Sequence, residues 1–332
     1  MKIGLALPHY DTSFMGRDVS WESVAGVAKL AEKAGFNSVW VSDHLFLDWG
    51  KYGGPDTPQG ALECWTTLAG LAALTERVRL GSLTLCNDFR APALLAKMAA
   101  TLDRLSGGRV DIGMGAGWYA TEYSAAGIEL DPPGVRIARL GESAEIIARL
   151  LEGEEVTYSG RHCHVDGAIC RPGPVQQPRP PIWFGGKGDY LLKTAARYAD
   201  GWNFSWLGPT SVYRERLEAC ERICEEVGRD RPLRRSVGAY VLVGRDEADA
   251  RRRFERLVDR TPDGVLSEVS WDGTKESRFA GTVGEVTDRL GELARLGVEE
   301  VIVTLGVLPF QLSDPEDVEL LGSEIIPALR DA

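Results

Sequence analysis

Residues 107–122 read GGRVDIGMGAGWYATE. Val110, Ile112 and Met114 alternate with Asp111 and Gly113, which is the period of a strand. The strand runs into Gly115-Ala116-Gly117, where glycine lets the backbone bend sharply and a ligand come close. Trp118, Tyr119 and Glu122 follow at once. A strand that ends in glycine, aromatics and a carboxylate reads as a ligand site more readily than as a simple turn. Asp43-His44 is the second candidate, because histidine titrates near neutral pH and can move a proton or hold a ligand oxygen. A structural cap is the plainer alternative there. Gly185-Gly186-Lys187-Gly188 precedes a helical stretch, and free N–H groups at a helix start with a lysine beside them suit an anion, phosphate above all. This is not the P-loop pattern, since no Ser or Thr follows Lys187. Glycine before a helix is also common without any ligand.

Other polar clusters carry less. His162 and His164 would share one face of a strand, but no third ligand stands near and no zinc signature occurs. They read as surface histidines of a hairpin, and no metal is expected. Asp111 and Glu122 are too loosely spaced to be assigned as an acid–base pair. Cys64, Cys86, Cys163, Cys170, Cys220 and Cys224 form no CxxC pair and read as buried thiols.

The elements that must position these residues alternate. Strands are predicted at 2–8, 38–42, 78–85, 110–115, 181–184, 201–205, 236–243 and 298–305. Helices are predicted at 21–34, 62–75, 92–105, 135–151, 187–198, 211–227, 247–258, 283–296 and 315–329. Ser20 reads as an N-cap, Gly35 as a stop and Pro92 as a helix start. Alternating βα units imply a parallel sheet. An open doubly wound sheet competes, but eight units without a linker favour closure into a (β/α)8 TIM barrel, a fold of about 250 residues before insertions. The expected organisation is one domain over residues 1–332 with insertions at 45–61, 153–180 and 259–280. The middle insertion carries a hairpin about Ser159-Gly160 and an extended, proline-rich tail. Insertions of this length are usually lids or disordered.

Composition narrows the class. The 332 residues are 44% hydrophobic and 26% charged, as in ordinary globular proteins. A net charge of −11 argues against nucleic acid as a partner. No apolar run approaches the ~20 residues of a membrane span, and the opening run stops at Pro8, too short for a signal core. The expected location is cytoplasmic.

Together the strand ends resemble the bacterial luciferase-like monooxygenase superfamily. The resemblance rests on KIGLALP at the start and AEKAGFNSVWVSDH through the second strand. It continues in RVRLGSLTLCNDFRAPALLAKMAATLDRLSGGRVDIGMGAGWYATEY, PPIWFGGKG, AARYADGWN and GTVGEVTDRLGELARLGVEEVIV. It implies a (β/α)8 barrel with insertions that binds FMN or the deazaflavin coenzyme F420. FMN members use reduced flavin and O2. F420 members pass a hydride between the deazaflavin and an organic substrate. The SDH, LCNDFRAPALLAKMAATLD and GMGAGWYATEY stretches look more like the F420-dependent branch.

The resemblance also implies roles. Asp43 and His44 match a pair near the cofactor ring, with the histidine near the hydride-transfer centre. Leu85, Cys86 and Asn87 match a bulge that supports the ring and in several relatives holds a non-proline cis peptide. Gly115, Ala116, Gly117, Trp118 and Tyr119, through to Glu122, match the wall beside the ring and ribityl chain. Gly185, Gly186, Lys187 and Gly188 match the phosphate end. Sugar-phosphate dehydrogenases of the F420 branch carry a glutamate proton donor where this chain has Trp118. A sugar phosphate is therefore not expected, and proton transfer falls to His44, Glu122 or solvent. Trp49, Trp118, Tyr119 and Trp206 suggest an apolar or aromatic small-molecule substrate. The leading expectation is an F420-dependent oxidoreductase. The alternatives are an FMN-dependent monooxygenase fed by a reductase partner, and a cofactor-binding protein without catalysis. A homodimer is expected by family analogy alone.

Overall fold

The computed structural model describes residues 1–265 and 269–330. Eight parallel strands alternate with helices along the chain: β1 (Lys2–Ala6), β2 (Ser38–Val41), β3 (Arg79–Ser82), β4 (Val110–Gly115), β5 (Ile182–Gly185), β6 (Gly201–Leu207), β7 (Arg234–Gly244) and β8 (Glu300–Thr304). This is the (β/α)8 barrel class expected from the alternation. The chain divides into two compact units. The first holds Met1–Glu63, Phe204–Glu215 and the residues from Arg235 on, and the second holds Cys64–Asn203 and Arg216–Arg234.

In the first unit β8 lies between β7 and β1, and β2 pairs with the other edge of β1. The register pairs Gly4 with Ile302 and Ser38, Gly238 with Ile302, and Tyr240 with Thr304. Register partners in parallel strands share a face, so Gly4, Ser38, Trp40, Glu300, Thr304 and Tyr240 line one face. A Cβ on Gly4 would stand 2.3 Å from Ser38 Oγ and 2.8 Å from Trp40 Nε1. Its absence leaves room for a buried chain in which Trp40 Nε1 donates to Ser38 Oγ at 2.6 Å and Ser38 donates to Glu300. The helix Trp21–Lys33 starts on a Ser20–Ser23 capping box, and Gly35 follows it at φ 88°, both as the sequence suggested.

In the second unit β4 lies between β3 and β5, and β6 adds beyond β5. Every residue of β4 is buried, which explains its apolar run. A Cβ on Gly113 would sit 1.9 Å from the Ser82 carbonyl oxygen. That carbonyl fills the space, and the Ser82 hydroxyl accepts from Gly113 N and donates to Gly113 O, both at 2.9 Å. The helix Pro92–Leu105 begins on its proline as expected.

Several boundaries differ from the sequence reading. The third strand does not run through to Leu85. It stops at Ser82, and Leu85–Cys86 forms a separate short strand pairing with Met114 and Gly115. The intervening Leu83–Thr84 bond is cis, two residues before the expected bulge, and a second non-proline cis bond joins Ser205 and Trp206. A short helix, Ala120–Ala125, follows Tyr119 directly. The helix expected from Lys187 starts at Asp189. The closing helix is not continuous. It passes through a π-turn at Leu321–Ile325 before Ile326–Arg330, where Pro327 supplies no N–H for the regular ladder.

The three insertions have structure. Residues 45–61 fold back through Phe46–Leu47 against Gln59–Gly60. Residues 153–180 hold the hairpin Val156–Ser159 with His164–Ala168, and Asp103 then pins the tail by accepting from the N–H groups of Val175 and Gln176 at 2.7 and 2.9 Å. Residues 259–280 include the helix Trp271–Ser277 and open the strand Phe279–Thr282, which pairs parallel with β7. The part of this insertion at 266–268 lies outside the described residues.

Arg109 locks the base of the second unit. Its guanidinium donates to the carbonyls of Ala72, Thr75, Val78 and Ser106 at 2.7–3.0 Å. Those groups end one helix and precede β3 and β4. Replacement by methionine leaves these acceptors without the donor, so Arg109→Met is expected to lower stability by about 2–4 kcal/mol in urea unfolding. A loss below about 0.5 kcal/mol, the scale of a neutral surface change, contradicts this assignment.

Candidate active site

The first unit brings His9, Tyr10, Ser42, Asp43 and His44 to the carboxyl ends of β1 and β2, which run side by side. His9 is fully buried. Its Nδ1 lies 2.8 Å from the Leu7 carbonyl oxygen, which can only accept, so Nδ1 carries the proton. Nε2 therefore accepts from the Ser42 hydroxyl at 3.0 Å, and Ser42 Oγ accepts from the Tyr10 phenol. Burial pushes the His9 pKa down to about 4, with His44 adding a smaller effect in the same direction. The imidazole is neutral near pH 7, and the relay has one orientation.

Tyr10 connects this relay to His44, whose ring centroid is 6.3 Å away. Phe310 lies edge-on to His9 at 4.9 Å and near Tyr10 at 6.1 Å. Trp206 packs edge-on to Phe310 at 5.3 Å and tilts against Tyr240 at 5.5 Å. The guanidinium of Arg278 covers the Tyr240 ring at 4.0 Å. Phe310 holds φ at 59°, a left-handed conformation that is unusual for an aromatic residue. Its loop is tied down by Gln311, whose Oε1 accepts from Val307 N and Leu308 N and whose Nε2 donates to Thr261 Oγ1 at 2.8 Å. The result is a wall of rings running from His44 to Arg278. Trp49 is not part of an open wall. It is fully buried, donates to Thr12 Oγ1 at 3.0 Å and props Tyr10 from behind.

The second unit brings Leu85, Cys86, Gly115 and Gly185 together. Leu85 and Cys86 pair with Met114 and Gly115, and Phe184 pairs with Met114, which sets Gly185 beside Gly115. Thr84 stands over both glycines. A Cβ would meet Thr84 Oγ1 at 2.4 Å from Gly115 and Thr84 Cγ2 at 2.7 Å from Gly185. Beyond Cys86, Asn87 is buried in a short 3-10 turn. Gly117 has φ 72°, and a Cβ there would lie 1.9 Å from the Tyr123 hydroxyl and 3.0 Å from Cys86 Sγ. Tyr123 bridges Cys86 and Asp88, each at 3.0 Å, and Arg139 holds the other Asp88 oxygen at 2.9 Å. Burial, and then the contact with Cys86, push the Tyr123 phenol well above its usual pKa, so it acts as a neutral hydroxyl. Arg136 donates to the carbonyls of Ala116 and Gly117 and so fixes the turn from the other side. Trp118 is 45% exposed, Tyr119 is buried beneath it at 5.3 Å, and the Glu122 carboxyl is buried in the following helix.

Gly186, at φ 146°, and Lys187 lead to Gly188, which caps the helix Asp189–Tyr198 with no side-chain bond. The first helical N–H groups have no partner within the helix, and a Cβ on Gly188 would meet nothing within 4 Å. The geometry suits an anion there.

Asp111 is taken by Arg79 and by Trp183 Nε1 at 3.1 Å, so it serves the start of β4 and not chemistry. His162 does not share a strand face with His164, because it sits in the hairpin turn. Both line a cavity of about 330 Å³ with Asn87, Asp88, Arg139 and Cys163. Among the described residues no group of three or more His, Cys, Asp or Glu side chains is placed to hold a metal. Sequence reading missed the partners of these residues. His9 and Tyr10 directly follow the strand read at 2–8, whereas Tyr123, Arg136, Arg139, Tyr240, Arg278 and Phe310 carry no local motif.

A family model for luciferase-like monooxygenases matches residues 1–300. The chain belongs to the luciferase-like monooxygenase family. It is an enzyme of the oxidoreductase or monooxygenase class. The fold of this luciferase-like enzyme is similar to that of a monooxygenase from Streptomyces bottropensis, at 24% identity over 99% of this chain and 100% of that one, with a TM-score of 0.77. It is also similar to a coenzyme F420-dependent tetrahydromethanopterin reductase from Methanopyrus kandleri, at 22% identity over 98% of both chains and a TM-score of 0.76. A third similar structure is an F420-dependent secondary alcohol dehydrogenase in complex with an F420-acetone adduct, at 23% identity over 99% of both chains and a TM-score of 0.77. Among the described residues no helix is long and apolar enough to cross a membrane.

The buried His9 gives this luciferase-like enzyme a defined acid response. An unfolded histidine titrates near 6.5 and folded His9 near 4. Between these values the unfolded chain binds the extra proton, so stability rises with pH across that window and is lost as pH falls through it. The full effect is about 3 kcal/mol. In urea unfolding, His9→Asn is expected to flatten the loss between pH 7 and pH 4.5 by about 2 kcal/mol. Parallel pH profiles for wild type and variant contradict a buried neutral imidazole.

Proposed function

We propose that the protein is a coenzyme F420-dependent oxidoreductase that reduces or oxidises an apolar or aromatic small molecule, with residues 1–332 acting as one luciferase-like domain. The observation that carries this reading is the pair of glycine turns at strand ends of the second unit, where Gly115–Gly117 ends β4 beside the Leu85–Cys86 segment and Gly186–Gly188 opens a helix start to a phosphate. Two similar structures bear F420 in their descriptions, which supports the same cofactor.

F420, when bound, supplies a hydride at its ring carbon C5 or accepts one there. The chain's own residues then have distinct tasks. Gly186, Lys187 and Gly188 hold the phosphate end. Leu85, Cys86 and Asn87 support the ring. Gly115, Ala116, Gly117, Trp118 and Tyr119 wall it and the ribityl chain. By the family resemblance Asp43 and His44 would serve the reacting end, where His44 would donate a proton to the substrate oxygen, or take it back in the reverse direction. Tyr10 braces the His44 ring, while Trp206 and Phe310 keep water off the substrate. Glu122 is buried in its helix and is a weaker candidate for proton transfer.

A second reading is an FMN-dependent monooxygenase fed by a reductase. It is favoured by the likeness to the Streptomyces monooxygenase and to a riboflavin lyase solved with modified FMN, the latter at 16% identity over 100% of this chain and 91% of that one, with a TM-score of 0.79. A cytoplasmic homodimer is proposed with either reading.

Titration of the apoprotein with F420 and with FMN separates them. Saturable F420 binding and oxygen-independent turnover are expected. Tight FMN binding without F420 binding overturns the first reading. His44→Ala is expected to lower kcat by about 10²–10⁴ while cofactor binding persists. Unchanged turnover removes His44 from the chemistry.

A further inference from the structure

We propose that the substrate carries a carboxylate, held by Arg278 at the far end of the ring wall from His44. The inference rests on the proposed function, because it concerns the substrate end of that same site. Arg278 follows the helix Trp271–Ser277 and lies half-buried against Tyr240, its guanidinium carbon 4.0 Å from the ring centroid. Among the described residues no carboxylate forms an ion pair with it. Its neighbours differ in this respect. Arg253, Arg256 and Arg260 of the same unit all pair with Asp314, Glu316 or Asp317. Arg278 instead lies on a ring face.

Its surroundings explain what such a cation is for. Tyr240 belongs to the same face of β7 as Gly238, and a Cβ on Gly238 would stand 3.1 Å from the Trp206 ring. The glycine therefore makes room for the indole beside Tyr240. Tyr240 is buried and its phenol is pushed up to about 12 by that burial, with Arg278 acting in the opposite direction. Tyr52, from the 45–61 insertion, is raised for the same first reason and feels both Tyr240 and Arg278. Two neutral phenols and one guanidinium thus lie together, with donors able to meet an acceptor. A planar carboxylate matches the guanidinium fork in shape and charge. Trp206 and Phe310, packed edge to face, lead from that point to Tyr10 and His44. A ligand that satisfies every surface has an anionic end on Arg278, an unsaturated or aromatic body along the rings and a reacting carbon toward His44.

The test uses trans-cinnamate and methyl cinnamate as probes, which differ only in the charge of one end, with binding measured by calorimetry on the full-length apoprotein. Wild type is expected to bind cinnamate at least about tenfold more tightly than the ester. Arg278→Gln is expected to abolish that preference while ester binding stays within about twofold, and Arg278→Lys to restore part of it. Retained ester binding shows that the variant is folded. Equal binding of the two probes to wild type, no cinnamate binding, or a preference that survives in Arg278→Gln overturns the inference. F420 titration of the same samples separates the two claims. A carboxylate preference without F420 binding leaves this inference standing and removes the cofactor reading. F420 binding with no carboxylate preference does the reverse.

Discussion

Thr84 fits where it does only because Gly115 and Gly185 have no side chains. Any Cβ at either position would lie within 2.7 Å of it. The constraint extends outward from there. Gly113 must be bare for Ser82 to bond both of its backbone groups, and Gly117 must be bare for the Tyr123 hydroxyl to sit beneath the turn. With backbone brought this close to side chain, Thr84 and Tyr123 grip the strand ends of the second unit where other side chains would otherwise stand. The grip is stiffened from beneath by buried hydrogen bonds running from Cys86 through Tyr123 and Asp88 to Arg139, and by Arg136 on the turn carbonyls.

The first unit works by a different physics. Its strand ends are crowded with rings, and the polar groups of the β1–β2 relay bond one another. The Leu7 carbonyl sets the His9 tautomer, His9 orients Ser42, and Ser42 orients Tyr10. A neutral, buried imidazole costs nothing in charge desolvation and passes rigidity to the His44 side of the site. The second histidine is left half-exposed. The two units thus differ in kind, one built on glycine turns held by side-chain hydrogen bonds and the other on packed rings.

Much of this was legible in the sequence, and the reasons are physical. The βα rhythm and the buried run of β4 follow from periodicity, so the fold class emerged directly. Asp43-His44 and Gly185–Gly188 sat at strand ends, where a barrel does its chemistry. What escaped notice was set by register and by insertions. Tyr240 is one residue in a long buried strand, and only its pairing with Thr304 shows which face it takes. Arg278 meets it across 38 positions, from an insertion with no periodic signal. Trp49 looked like a pocket residue because tryptophan often is, but a bond to Thr12 holds it in the interior. The break after Ser82 was hidden for a related reason. An apolar run reads as one strand, whereas the close approach of Thr84 to two glycines turns the chain aside.

The central claim is the proposal that the glycine turns of the second unit receive a deazaflavin. A crystal structure of the protein with F420 tests it most directly. The account predicts the phosphate on the backbone of Lys187 and Gly188 and the ring edge against Gly115 and the Leu85–Asn87 segment. A phosphate bound elsewhere, or a cofactor ring kept away from Gly115 by Trp118 or Thr84, would contradict it.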